Sequence, residues 1–163
     1  MKIRNATFKD LNRIERIYLD ARKYMESEGN FQWHQGYPSF KLLKNSILSK
    51  DLYVVTDDEN AQVLAVFALI GGIDPTYLKI DGKWLNDEPY VTIHRLAKIK
   101  EAKGILKVVI EFSLTKANNI RIDTKDTNKT MRKKLLDNGF IECGIILIDN
   151  GEERIAYQCV KEE

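Results

Sequence analysis

Apolar and polar positions alternate along residues 1–6 (MKIRNA), the two-residue period of a half-buried strand. The period then lengthens. Leu11, Ile14, Tyr18, Ala21 and Met25 recur at helical spacing behind Thr7 and Asp10, a capping-box-like start, so a helix is predicted over 8–28, closed by Ser27-Glu28-Gly29-Asn30. A second helix is expected over 39–50. Strands are expected over 51–56 and 63–70, joined by the polar turn 57–60, and the almost continuously apolar run 65–70 suits a central strand. Residues 90–98 (YVTIHRLAK) alternate again and lead through a short polar loop to Gly104, where helical spacing resumes. A strand over 120–124 and a further helix end at Gly139-Phe140. Two last strands, 140–148 and 153–160, form a hairpin. Its register stays open: Asn150-Gly151 as a two-residue turn sets Cys143 opposite Gln158, whereas matching Ile145/Leu147 with Ile155/Tyr157 sets it opposite Cys159. The order β-α-α-β-β-β-α-β-α-β-β predicts an α/β (α+β) chain with a mixed sheet and helices on both faces.

Two connections are unusual. The 31–38 stretch (FQWHQGYP) holds three aromatics and one of two histidines, dense for a solvated loop. Its Trp33 and Tyr37 either line a pocket or cap the core, and a lone His34 reads more simply as structural. The 73–89 excursion, with Pro75, Tyr77, Trp84 and Pro89, is long for a compact domain and reads either as a functional loop or as a flap without chemistry.

With 163 residues, 44% hydrophobic and 31% charged, the chain is expected to fold as one globular domain over 1–163. It shows no signal-peptide run, and no segment approaches the roughly 20 apolar residues of a membrane span, so a cytoplasmic protein without a membrane partner is expected. Two cysteines fit neither a disulfide framework nor a zinc site, and no metal is expected. The net charge of +2 hides an asymmetry: residues 95–134 carry twelve Lys or Arg against four acids. That points to an anionic ligand. Phe112 is the only aromatic in this basic segment, against the stacking residues of single-strand binders, so a compact anion is favoured and nucleic acid is not expected.

The strand-to-helix turn at Gly104 is where such an anion fits best. Glycine permits close backbone approach, and the first helical turn presents free N–H groups at the positive end of the helix dipole. Lys98, Lys100, Lys103 and Lys107 surround it, as a phosphate clamp or as solvated surface. Glu101-Ala102-Lys103-Gly104-Ile105-Leu106 resembles the acyl-CoA pyrophosphate loop, Gln/Arg-x-x-Gly-x-Gly/Ala, of the GNAT superfamily of N-acyltransferases. Gly104 matches, while Glu101 and Leu106 depart from the pattern. Residues 120–140 (IRIDTKDTNKTMRKKLLDNGF) are similar to that family's next strand, asparagine, helix and closing Gly-Phe, with Asn128 eleven residues before Gly139.

The resemblance covers nearly the whole chain. It implies a mixed, mostly antiparallel central sheet of about seven strands, and transfer of an acetyl group from acetyl-CoA, as co-substrate, to a primary amine of a small molecule or peptide by direct attack. The strand ending His94-Arg95-Leu96-Ala97 would splay from 120–124. Backbone near Leu96 and Ala97 would hold the pantetheine and polarise the carbonyl; Lys98, Lys103, Gly104, Ile105, Leu106 and Lys107 would take the pyrophosphate, and Asn128 would bond the cofactor or cap its helix. The 31–38 loop is tipped toward substrate binding, with Trp33, Tyr37 and Tyr90 as candidates. His94 and Asp123 are the candidate base and orienting group, each also readable as an ordinary strand residue. Many family members carry a tyrosine acid seven residues after the asparagine, where this chain has Leu135. A non-catalytic acyl-CoA sensor of the same fold is the alternative, and a homodimer is compatible with either.

Overall fold

The structure is a computed structural model that describes every residue except Asn60, the last position of the expected 57–60 turn, which lies outside the described residues. Strand β1 (Lys2–Asn5) leads into a single 3-10 turn at Phe8–Asp10 and then helix α1 (Leu11–Ser27). The turn forms because the Asp10 carboxylate reaches back to the Thr7 N–H at 2.8 Å while Arg4 grips both its oxygens at 2.7 and 2.8 Å. Helix α2 (Phe40–Leu48) starts where the Ser39 hydroxyl accepts the Leu42 N–H at 3.1 Å. Then follow β2 (Leu52–Thr56), β3 (Val63–Gly71), β4 (Asp81–Gly82), β5 (Val91–Lys98), α3 (Ile105–Ser113), β6 (Asn119–Thr124), α4 (Lys129–Asp137), β7 (Ile141–Leu147) and β8 (Glu153–Val160).

These strands form one eight-stranded sheet in the order β1-β2-β3-β5-β6-β8-β7-β4. Every pairing is antiparallel except β5 with β6. Strand alternation sorts neighbouring side chains to opposite faces. Val54 joins a layer with Leu11, Ile14, Ile17, Leu43 and Ile47 of α1 and α2, whereas Val55 joins Ile105, Val109, Ile110 and Leu135 of α3 and α4. The predicted helices on both faces are therefore present. The continuous apolar run of β3 is needed because it is buried from both sides.

The eighth strand was not legible in the pattern. Asp81 and Gly82 of the long excursion pair with Ile145 and Gly144 on the edge of β7. A Cβ on either Gly82 or Gly144 would run into the partner's backbone, so the two glycines are what permits the contact. The excursion folds into a third layer: Tyr77, Tyr90, Ile146 and Ala156 make a core of their own beneath it, with Trp84 packed alongside. Gln158, fully buried, accepts the Leu85 N–H and donates to Asn119 at 2.9 Å, pinning the loop. The hairpin adopts neither expected register. Ile145 does face Ile155, but Leu147 faces Glu153, and a slip between Glu142 and Gly144 leaves Cys143 opposite neither Gln158 nor Cys159. The bulge absorbs one residue, which no turn rule applied at 149–152 could foresee.

Candidate active site

Parallel pairing of β5 with β6 is confined to Val91 with Ile120 and Thr92 with Arg121. Beyond Thr92 the ladder stops. On its other side β5 carries a bulge: two residues, Arg95 and Leu96, stand between the pairs His94–Ala68 and Ala97–Val66. Arg95 takes φ +53°, a left-handed conformation that costs a side-chain-bearing residue energy and must be held by its surroundings. It is held by α1 and α2: the Tyr18 hydroxyl donates to the Arg95 carbonyl at 2.6 Å, and the Arg95 guanidinium donates to Ser46 at 3.3 Å. Splay and bulge together open a cavity of about 470 Å³ bounded by Ile93, His94, Arg95 and Leu96 on one strand and Ile122, Asp123 and Thr124 on the other.

His94 and Asp123, neighbours only in the fold, share this cavity, and each is held by the 73–90 excursion. His94 Nε2 lies 3.0 Å from Asp74 Oδ2, whose other oxygen accepts the Thr76 N–H at 3.0 Å and hydroxyl at 2.7 Å. The His94 bond first, and the Thr76 bonds after it, hold the Asp74 carboxyl at about 2 despite partial burial. An ionised carboxylate only accepts, so Nε2 carries the hydrogen and Nδ1 of a neutral imidazole keeps the lone pair. Asp123 accepts the Tyr77 hydroxyl at 2.6 Å. Burial pushes its carboxyl above the usual carboxylate range, with the Tyr77 bond opposing. Burial, then Asp123, raises Tyr77 far beyond the ordinary phenol, so it remains a donor.

The 31–38 loop closes the cavity on the α1 side. Trp33, His34 and Tyr37 line it, with Trp33 edge-on to Tyr18 at 5.6 Å and tilted against Tyr37 at 6.4 Å. Gln32 reaches across the gap: its side-chain oxygen accepts from the Thr124 hydroxyl and the Lys125 N–H, both at 2.9 Å. Asn30 accepts the Thr127 hydroxyl at 2.9 Å. From the hairpin side, Arg154 donates to Glu152 at 3.1 Å and to the Gln32 carbonyl at 3.4 Å. Tyr90 stands behind the wall: buried, its ring 4.0 Å from the Arg121 guanidinium, it accepts the Asp74 N–H at 2.8 Å and so holds the residue that holds His94.

Across the sheet, Gly104 is the N-cap of α3 with φ +73°, and no side chain caps the helix. The first-turn amides of Ile105, Leu106 and Lys107 are left for a ligand while the Ile105 and Leu106 side chains are buried in the core. This uncapped turn behind an unobstructed glycine fits a pyrophosphate, the anion that acetyl-CoA would bring. Lys103 and Lys107 are exposed beside it. Lys98 folds back onto the Ile99 and Lys100 carbonyls at 3.2 and 3.3 Å, and burial lowers its pKa. Asn128 lines the cavity, but both ends of its amide are engaged: Oδ1 accepts the Met131 N–H at 3.3 Å and Nδ2 donates to Thr124 at 3.1 Å. Leu135, where a family tyrosine would stand, is fully buried. Among the described residues no group of three His, Cys, Asp or Glu is placed to hold a metal, and no helix is long and apolar enough to cross a membrane.

Sequence reasoning missed Asp74, Tyr77, Gln32 and Arg154. Only Asp74 left a signal, as an Asp before Pro75-Thr76 able to cap a turn, which it does by accepting the Thr76 N–H.

Among the described residues, the mixed sheet thus parts after two pairs of its parallel ladder, with an uncapped glycine turn on one face and an ordered histidine on the other. No protein-family model matches the chain, and no curated protein matches it by sequence. Among solved structures, the chain is similar to a GNAT-family acetyltransferase from Streptococcus agalactiae, with 29% identity, TM-score 0.88, and 99% of this chain and 96% of that chain covered. A GNAT-family acetyltransferase from Listeria monocytogenes shares the fold at 18% identity and TM-score 0.70, over 98% of this chain and 94% of that one. The NatB acetyltransferase complex bound to CoA shares it at 14% identity and TM-score 0.66, over 99% of this chain and 100% of that one. The chain therefore has the fold of the GNAT-family acetyltransferases, and the likeness to the Streptococcus agalactiae protein supports an acetyl-CoA-dependent acyltransferase.

Proposed function

We propose that the chain acetylates a primary amine of a small molecule or peptide by direct attack, at the cavity between β5 and β6. The observation that carries this reading is the opening of the sheet after Thr92 and Arg121, with His94 and Asp123 on its walls. Bound at the Gly104 turn, acetyl-CoA supplies a thioester-activated acetyl group; the remaining work falls to the chain. Asp74 fixes the imidazole so that His94 Nδ1 takes the proton of the incoming ammonium, directly or through water. Asp123, whose carboxyl burial pushes above the usual carboxylate range, orients the amine together with Tyr77. Backbone N–H groups at the bulge, near Leu96 and Ala97, offer donors to the oxygen on which charge develops, an effect worth roughly 3 kcal/mol for one well-aimed donor. Trp33 and Tyr37 shape the acceptor end. Leu135 has no proton to give, and a thiol with a pKa of about 8.5 leaves with little help from an acid.

Thiol release from acetyl-CoA across amines, polyamines, aminoglycosides and peptide N-termini tests the proposal. Turnover with at least one acceptor is expected. Calorimetric binding of CoA with no turnover on any of them would identify an acyl-CoA sensor instead.

A further inference from the structure

We propose that Tyr18 is a positioning residue for acyl transfer: its hydroxyl holds the Arg95 carbonyl on the α1 side of the sheet and thereby aims the Leu96 N–H into the gap between β5 and β6. The inference rests on the function proposed above and assigns one of its donors a support outside the cleft. A trans peptide unit is planar, so the Arg95 C=O and the Leu96 N–H point in opposite directions. The 2.6 Å bond from Tyr18 draws the carbonyl toward α1. The Leu96 N–H is thereby turned away from α1, toward the cavity between β5 and β6 that Leu96 lines.

The bulge needs such a hold. Arg95 is already strained at φ +53°, and a paired rotation of its ψ and the Leu96 φ would turn the Arg95–Leu96 peptide over. A flip would present the carbonyl oxygen, not the N–H, to the oxygen that gains charge during transfer, converting attraction into repulsion. Tyr18 resists this from a rigid place. It lies on α1, only 3% exposed, with its ring fixed edge-on by Trp33. Burial raises its pKa, so the hydroxyl keeps its proton and remains a donor throughout the working range.

Tyr18→Phe keeps the ring and removes the donor. Its kcat should fall about 10- to 100-fold, at or below the low end of what loss of a single oxyanion donor costs, with CoA affinity little changed and the melting temperature lowered by no more than a few degrees. Bound acetyl-CoA labelled with ¹³C at the carbonyl gives a second readout without turnover. Its infrared carbonyl band, lowered by the Leu96 N–H in the parent, should move to higher frequency in the variant. Fluorotyrosine at position 18, which retains the hydroxyl, should preserve both kcat and the band. An unchanged kcat and band in Tyr18→Phe would overturn the assignment, and so would an equal loss with fluorotyrosine, since ring packing would then be what matters. Failure of the parent to bind acetyl-CoA at all would overturn the function on which the assignment stands.

Discussion

At the scale of single residues, the site depends on pairs whose members lie far apart in the chain. His94 is oriented by Asp74, and Asp123 by Tyr77. If His94 is the base, kcat/KM should rise with pH through one apparent pKa and then level off, measured with acceptors of different basicity. His94→Ala should then lose roughly 10² to 10⁴ in rate, the span expected for a general base. A falling alkaline limb independent of the acceptor would reveal a general acid elsewhere in the chain. Asp74 also leaves a mark on stability. Its folded-state pKa, about 2, lies below the ordinary 3.8, so its contribution is complete above pH 3.8 and is lost as pH falls through about 2. Urea unfolding of Asp74→Asn should therefore show a flatter acid limb between those values; a slope equal to the parent's would mean that the His94 contact does not persist in solution.

At the scale of elements, the decisive features are strand ends and helix starts. The start of α3 was legible because a glycine between an alternating strand and a 3.6-residue pattern has few other uses, and Gly104 does adopt the left-handed conformation there. Gly104→Glu should abolish CoA binding by calorimetry, because the side chain would fill the space in front of the first-turn amides. The fold should survive at a cost of about 1–2 kcal/mol for a side chain at φ +73°, since an added Cβ would meet only the end of the flexible Met1 side chain at 3.9 Å. Tight binding by the variant would move the pyrophosphate elsewhere. The lysines around this turn divide on inspection: Lys103 and Lys107 are free in solvent, while Lys98 is spent on its own loop's carbonyls. Asn128 similarly acts first as the cap of α4.

At the scale of the whole molecule, the sheet separates two functions and the loops join them. Helices α3 and α4 cover the face of the glycine turn; α1, α2 and the 73–90 excursion cover the face of His94 and Asp123. Gln32 links the two sides, since its oxygen accepts from Thr124, which in turn accepts from Asn128. Gln32→Ala should loosen the 31–38 loop and raise the acceptor KM several-fold by steady-state kinetics, within the roughly tenfold per 1.4 kcal/mol expected for one or two lost bonds. The acetyl-CoA KM should change less. Equal changes in both would place Gln32 in the general packing of the fold.

The sequence alone determined what is written in local periods: the order of the elements other than β4, the two helical layers and the glycine turn of α3. Those follow because side-chain period and backbone freedom act over a few neighbouring residues. Only the tertiary structure decided which distant groups meet. The pairing of Asp74 with His94, the retreat of Tyr90 behind the cavity wall, the bridge of Gln32 to Thr124 and the grip of Tyr18 on Arg95 all depend on how loops close over a sheet. So do the eighth strand and the slip at Cys143. Such contacts are set by the summed packing of many side chains across large sequence separations, and no local period encodes them.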